Sequence, residues 1–301
     1  MRILMPIDKS PFSDGAVAFV AARAALMKTP PDVELVNIQY PVPPRVAGAL
    51  GQEIVHAHYE AEAAGILQPA ASKLSRAGAR ASHHYRIGRV NPELAEVVDK
   101  DPADLVVMAS HGETGLTRLL FGSVASGIAA SCSKPLLIVR GAPTRGRDSL
   151  KIALALDGSP HGLSVTGFVA RHRDFFGSRP EVFLVHVVPE LSKLVVPGWV
   201  QREVATGIEP AQARAMQDAA FRTVFQPAHE ILRAAGLDSG EARLVGSDPG
   251  ETLAVYANDV KPDVLAMGSI GFGAHRFTSL GSVASRVAAR TATSLLLVRD
   301  K

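Results

Sequence analysis

The sequence predicts an α/β protein of two tandem, doubly wound domains, each with a five-stranded parallel sheet. Short apolar segments of strand length alternate with Ala-rich segments of helical length, an order typical of parallel sheets covered by helices on both faces. The whole order occurs twice along the 301 residues, a length that also suits two ordinary domains. The chain is therefore interpreted as an internal duplication.

The duplication can be followed residue by residue. Each half contains an apolar strand, a glycine-containing loop, a helix and a second apolar strand, at 104–140 and 263–299. Three pairs of loop residues lie 159 positions apart: Gly112 and Gly271, Gly122 and Gly281, and Ser123 and Ser282. The opening segments RILMPIDKSP and KIALALDGSP also match, with Asp8 and Asp157 149 positions apart. We predict a first domain at 1–141, a polar linker at 142–149 and a second domain at 150–301.

In the first half, strands are expected at 3–7, 33–40, 79–86, 105–108 and 136–139. Helices are expected at 13–27, 52–77 and 123–131. A further short helix is predicted to begin with Asn91 as its N-cap and Pro92 in its first turn. The Pro- and Gly-rich segment 41–51 is predicted to be a loop, and Pro69 to bend the long helix that follows it.

The second half repeats this order. Strands are expected at 152–156, 182–188, 241–245, 264–267 and 294–299. Helices are expected at 161–176 and 208–235, with one entered at Asp248-Pro249 and one after Gly281. Each half thus supplies the strands of one sheet and the helices that cover it.

The glycine loops predict a phosphate site. The second loop has the spacing G-x2-G-x9-G-S, formed by Gly268, Gly271, Gly281 and Ser282, between a strand and a helix. Such a loop presents backbone N–H groups without obstructing side chains, and the helix N-terminus favours negative charge. In open parallel sheets, ligands bind at the carboxyl ends of the strands where strand order reverses.

In these motifs the chain resembles the universal stress protein family in its tandem form, over essentially its whole length. The resemblance implies an adenine-nucleotide alpha-hydrolase-like fold and the binding of ATP, with or without Mg²⁺. It implies that the glycines and the following hydroxyl hold phosphates, that an aspartate contacts the ribose, and that the second-strand backbone contacts adenine. The residues implied in the second half are Asp157, Val187, Gly268, Gly271, Gly281, Ser282 and Val283. Those implied in the first half are Asp8, Ile38, Ala109, Gly112, Gly122, Ser123 and Val124.

Two positions depart from the family spacing. Ala109 stands where the first glycine of the first loop belongs, and costs roughly 1 kcal/mol if that position needs a positive φ. Ile270 in the second loop replaces His111 and removes a polar group. We therefore expect the second site to be the better preserved of the two.

The same residues have structural explanations that the sequence leaves open. Asp8 and Asp157 are each followed by a helix and could act as N-caps instead of ribose ligands. Ser123 and Ser282 could likewise cap the helices that they precede.

The sequence favours binding of ATP over its hydrolysis. It contains no G-x4-G-K-[ST] motif, so the lysine that neutralises charge in a Walker-type site is missing, and no catalytic residue is assigned. We expect a nucleotide-binding regulator of the stress response in which hydrolysis is slow or incidental. The alternatives are a nucleotide-free interaction scaffold and a slow ATPase.

The composition limits which classes of partner we expect the protein to bind. The formal net charge of +3 and the lack of a Lys/Arg run interleaved with aromatic residues argue against nucleic acid as a partner. The chain has no apolar run of membrane-spanning length and no signal segment, so we expect a cytoplasmic protein without a membrane partner. The single cysteine, Cys132, is predicted to be a buried small residue, and the histidines lack partners at metal-ligand spacing.

The fifth strands, PLLIVR at 135–140 and SLLLVR at 294–299, are almost entirely apolar. A free edge of this kind would invite aggregation, and pairing one strand with the other hides both. Members of the family that the chain resembles dimerise through this strand. The resemblance therefore implies an intramolecular pseudo-dimer with both nucleotide sites near its junction, and leaves open a further homodimer and a regulatory protein partner.

Overall fold

The computed structural model describes residues 1–110, 122–141, 148–189, 210–269 and 280–299. The strands of the first half are β1 (Arg2–Pro6), β2 (Asp32–Gln39), β3 (Arg80–Ile87), β4 (Leu105–Ala109) and β5 (Leu136–Val139). Those of the second half are β6 (Lys151–Ala155), β7 (Glu181–Val188), β8 (Ser239–Val245), β9 (Val264–Gly268) and β10 (Ser294–Val298).

Helices connect the strands in both halves. The first half has α1 (Pro11–Ala24), α2 (Pro44–Leu50), α3 (Gln52–Arg76), α4 (Val90–Lys100) and α5 (Ser123–Ser131). The second half has α6 (Pro160–Arg171), α7 (Arg173–Phe176), α8 (Pro210–Ala234), α9 (Pro249–Val260) and α10 (Ser282–Arg290).

Within the described ranges, the strands form one sheet in the order β3-β2-β1-β4-β5-β10-β9-β6-β7-β8. The strands of each half run parallel to one another, in the doubly wound order of a switch-point sheet. Among the strands of the described residues, the central pair, β5 and β10, is the antiparallel one. The predicted fold class and the pairing of the two domains through their fifth strands are both confirmed.

The seam between the halves is apolar and completely buried. In its register Leu137 lies opposite Leu296, flanked by the pairs Ile138–Leu295 and Leu136–Leu297. The exposed fraction of each of these side chains is 2% or less. The edge that the sequence indicated as an aggregation hazard is thus covered by its own duplicate.

Helices cover both faces of the sheet, and each face has a core that runs across the seam. On one face α1 and α3 continue into α6, α7 and α8, where Phe19 and Phe175 meet edge to face with ring centroids 6.1 Å apart. On the other face α4 and α5 continue into α9 and α10. Because both cores include residues of both halves, the strand pairing is reinforced from above and below.

Three local expectations were wrong. The segment predicted as a loop contains α2, which starts at Pro44, where a missing N–H costs nothing. The N-cap of α4 is Arg89, so Asn91 lies inside the first turn. The single helix expected at 161–176 is divided at His172, whose backbone leaves the helical conformation (φ −108°, ψ 28°). The long helices α3 and α8 continue past Pro69 and Pro227.

The beginning of the second half is fixed by a close backbone contact. Ser149 forms an isolated antiparallel bridge with Gly177, and the Leu150 amide donates to the Phe176 carbonyl (2.9 Å). Gly177 has φ 124°, and a Cβ there would lie 2.1 Å from the Asp148 carbonyl oxygen. Only glycine fits this position.

The buried seam predicts a large effect of truncating one of its leucines. Leu296→Ala should lower the free energy of unfolding by about 2–5 kcal/mol, because it removes apolar contacts and leaves a cavity. Urea denaturation of the variant measures this change. Leu50→Ala, at a side chain that is 47% exposed, is the matched control, and equal midpoints for the two variants would contradict the proposed importance of the seam.

Candidate nucleotide sites

The candidate sites lie at the two points where strand order reverses. In the first half the chain passes from β1 outward to β2 and β3, and β4 then lies on the other side of β1. The crevice between the carboxyl ends of β1 and β4 is where an open parallel sheet binds its ligands. β6 and β9 form the same arrangement in the second half.

Asp8, two residues beyond the end of β1, is held by the start of α1. Its Oδ1 accepts hydrogen bonds from the Ser10 amide (3.0 Å), the Ser10 hydroxyl (2.5 Å) and the Ser13 hydroxyl (2.6 Å). The N-cap of α1 is Ser10, whose hydroxyl accepts from the Ser13 amide (3.2 Å). The explanation of Asp8 as an N-cap is therefore wrong: the serine caps the helix, and the aspartate orients the serine.

Asp157 repeats this arrangement with one donor fewer. Its Oδ1 accepts from the amide (3.0 Å) and the hydroxyl of Ser159, which is the N-cap of α6. Gly162 stands where the first half has Ser13, so no second hydroxyl is present at that position. Among the described residues, the hydrogen bonds to both aspartates go to Oδ1, which leaves Oδ2 available to a ligand.

The backbones of Ile38 and Val187 face the same crevices. The Val36 carbonyl accepts from the Ile7 amide (2.9 Å), on the β1 side of β2. Because backbone groups alternate sides along a strand, those of Ile38 face the same side, beyond the end of β1. The equivalent bond to the Val185 carbonyl (2.8 Å) places the backbone of Val187 in the same way. Their position suits the contact with a base that the family resemblance implies.

Two residues that the sequence analysis missed fix the ends of the first strands. The Asn37 side chain donates from Nδ2 to the Ile7 carbonyl (2.9 Å), and His186 Nδ1 lies 2.7 Å from the Leu156 carbonyl. Since a carbonyl only accepts, Nδ1 of His186 carries the proton in this contact. The two residues lie 149 positions apart, so the offset that paired the aspartates could have identified them.

The glycine loops are closed at their base by one backbone hydrogen bond in each half. The Gly122 amide donates to the Ser110 carbonyl (3.0 Å), and the Gly281 amide to the Ser269 carbonyl (2.8 Å). In the first half this bond brings the end of β4 next to the start of α5. In the second half it brings the end of β9 next to the start of α10. Residues 111–121 and 270–279, including Gly112 and Gly271, lie outside the described residues.

The helices that begin at these loops have glycine N-caps. Gly122 (φ −58°) precedes α5 and Gly281 (φ −55°) precedes α10, and within the described ranges neither helix has a side-chain cap. Ser123 and Ser282 are the first helical residues and are exposed, so their explanation as N-caps is wrong. Among the described residues, the first amides of each helix therefore lack the side-chain acceptor that α1 and α6 have, and amides of this kind at a helix start can bind an anion.

The remaining predicted residues lie close to these helix starts. Val124 and Val283 are half-buried in the first turns of α5 and α10 and pack against the core of that face. Ala109 is the last residue of β4, opposite Val139, and its counterpart Gly268 ends β9. Among the described residues, neither has a positive φ, so Ala109 is not strained and differs from Gly268 only by its methyl group.

Three further features concern the described part of the chain: metal-ligating groups, membrane-spanning helices and the single cysteine. No group of three or more metal-ligating side chains is found there. Within the same ranges, no helix combines the length and apolar character needed to cross a membrane. Cys132 is buried, as predicted, its Sγ donates to the Lys134 carbonyl (3.3 Å), and burial raises the pKa of its thiol to about 11.

The two halves of the sheet, each with an anchored aspartate and a helix with a glycine N-cap at its switch point, define a tandem α/β protein with one candidate ligand crevice per half. The model of the universal stress protein family matches residues 1–140 and 149–299. The chain belongs to the universal stress protein family, as its motifs indicated.

The chain is also similar to known proteins over almost its whole length. A universal stress protein of Mycolicibacterium smegmatis is 27% identical over 309 aligned positions, covering 99% of this chain and 97% of the relative. A solved universal stress protein of Archaeoglobus fulgidus superposes with a TM-score of 0.67 at 16% identity, covering 99% and 98% of the two chains. A solved putative universal stress protein of Pseudomonas aeruginosa gives 0.60 at 11% identity, covering 99% and 92%. Because these two solved structures share so little sequence with this chain, they support its fold and nothing more.

The serine cap predicts a measurable loss of stability. Ser10→Ala removes the acceptor for the first turn of α1 and a donor to Asp8, so the free energy of unfolding should fall by about 1–2 kcal/mol. Chemical denaturation measures it, with Ser72→Ala on the exposed face of α3 as control. A Ser10 variant as stable as this control would contradict the assignment of the cap.

The buried thiol predicts low reactivity. Because the pKa of Cys132 is raised, its thiolate is scarce at pH 8, and burial blocks access as well. The folded protein should not react with Ellman's reagent at pH 8, whereas the denatured protein should release one equivalent of thionitrobenzoate. Rapid stoichiometric reaction of the folded protein would show that this position is open.

Proposed function

We propose that the protein is an ATP-binding regulator of the stress response, with one nucleotide site in each half. The observation that carries the proposal is the uncapped helix start, Gly122–Ser123 or Gly281–Ser282, at a switch point that also holds an anchored aspartate. Free amides at a helix N-terminus suit phosphates, and a carboxylate oxygen suits the hydroxyls of a ribose.

The proposed ligand contacts follow the geometry of the described residues. The first-turn amides of α5 and α10 would bind phosphate, Asp8 and Asp157 the ribose, and the backbones of Ile38 and Val187 the base. Mg²⁺, where it accompanies ATP, would be carried by the phosphates. Since the glycine N-caps have ordinary negative φ values, their contribution is the missing side chain, which lets a ligand approach the backbone.

Hydrolysis is proposed to be slow or incidental. The chain has no Walker-type lysine that would neutralise charge on a departing phosphate. ATP therefore acts as an effector, which requires that it bind two conformations of the protein with different affinity. The proposal includes a cytoplasmic location, where ATP is available, and a regulatory protein or a second copy of the chain as partner.

Replacing the N-cap glycines tests the proposal. Purified unaltered protein should release two equivalents of ATP per chain on denaturation, quantified by chromatography. Gly122→Val and Gly281→Val should each remove about one equivalent, because a branched side chain obstructs the helix start, and the double variant should release none. Gly65→Val, at an open position in α3, is the matched control and should retain both.

The outcomes separate the three candidate functions. Absence of nucleotide from the unaltered protein, with no binding of added ATP, would establish the scaffold instead. Multiple turnovers in a phosphate-release assay, abolished in the double variant, would establish an ATPase. Retention of both nucleotides by the double variant would place the ligand elsewhere.

A further inference from the structure

The last residue of each fifth-strand segment is an arginine that reaches into the opposite half. Arg140 follows β5 and Arg299 follows β10, and they lie 159 positions apart, like the residues of the glycine loops. Both are therefore copies of one position in the duplicated domain. The seam places each copy against a helix of the other domain.

Arg140 holds the C-terminal end of α10. Its guanidinium donates to the Thr291 carbonyl and to the Ala288 carbonyl (2.6 Å). Its backbone is fixed as well, because its amide donates to the Ser294 hydroxyl (3.1 Å), which in turn donates to the Arg140 carbonyl (3.3 Å). The guanidinium thus satisfies carbonyls that a helix end leaves unpaired, and its charge complements the helix dipole.

The side chain of Arg140 is almost completely buried, with an exposed fraction of 8%. Burial lowers its pKa to about 10, which leaves it cationic at neutral pH. A buried cation is costly unless it is hydrogen-bonded, and the carbonyls of α10 supply that compensation. The side chain is consequently locked to one helix.

Arg299 makes the reciprocal contact. Its Nη2 donates to the Ala130 carbonyl in the last turn of α5 (3.2 Å), and its Nε donates to the Ser269 hydroxyl (3.2 Å). Ser269 is the residue whose carbonyl closes the second glycine loop. Arg299 therefore joins the base of the second loop to a helix of the first half.

Both helices held in this way begin at a candidate nucleotide site. α5 starts after Gly122 and α10 after Gly281, and each is nine residues long, about 13 Å from end to end. A short helix with a hydrogen-bonded backbone moves as one rigid piece. The position of its first amides therefore depends on how its far end is held.

We propose that Arg140 and Arg299 are positioning residues that act on the nucleotide site of the opposite half. Arg140, in the first domain, sets the position of the α10 amides and hence the affinity of the second site. Arg299, in the second domain, does the same for α5 and the first site. This inference rests on the proposed function, because it assigns a residue to each of the proposed sites.

The test measures each site separately. Gly122→Val leaves only the second site, and Gly281→Val leaves only the first. Arg140→Lys is introduced into both backgrounds, and ATP is titrated calorimetrically. Lysine keeps the charge but cannot span two carbonyls with a planar fork. The dissociation constant of the second site should rise about fivefold, the lower end of couplings between distinct sites, and that of the first site should stay within about twofold.

Controls distinguish positioning from a general loosening of the seam. Arg222→Lys, the same change at an exposed position of α8, should alter neither site. A structural defect from Arg140→Lys would weaken both sites alike, and that result overturns the inference, as does an effect confined to the first site. If Arg140→Lys does not fold, Arg299→Lys in the Gly281→Val background replaces it, and an unchanged first-site affinity there overturns the inference.

The two proposals fail in different ways. If the unaltered protein binds no ATP, the proposed function is wrong and this inference falls with it. If the unaltered protein and both single-site backgrounds bind ATP but the arginine variants show no cross-half effect, only the inference is wrong.

Discussion

Antiparallel pairing of β5 with β10 is the constraint on which the rest of the structure depends. It converts two five-stranded sheets into one continuous sheet and buries the most apolar strand of each half. Both helical layers then pack across the junction, so each core contains side chains from both domains. A sheet divided at this seam would expose two apolar edges and split both cores.

The same pairing decides how the two candidate sites are related. Because β5 and β10 run antiparallel, the arginine after each strand reaches the helix of the opposite half. The two domains are therefore connected through the elements that begin at the glycine loops. This connection is a physical basis for communication between the two candidate ligand crevices.

The two halves share their backbone arrangement but differ in individual side chains. Asp8 is held by two serines and Asp157 by one, with Gly162 in place of Ser13. Asn37 and His186 contact the equivalent backbone carbonyl in the two halves, Asn37 through an amide and His186 through an imidazole. The two crevices share their backbone geometry and differ in the groups that surround it. Differences in affinity between the sites would therefore arise from side chains and not from the fold.

From the sequence alone, the order of strands and helices along each half and the duplication could be predicted, because apolar periodicity and internal repeats can be read directly along the chain. The sequence could not determine that α2 forms, that Arg89 is the N-cap of α4, or that Ser10 and not Asp8 caps α1, since these depend on small energy differences between neighbouring candidates. The contacts of Asn37, Arg140 and Arg299 could not be predicted from the sequence for another reason. Their partners lie 30 to 169 positions away in the chain, and only the tertiary structure brings them together.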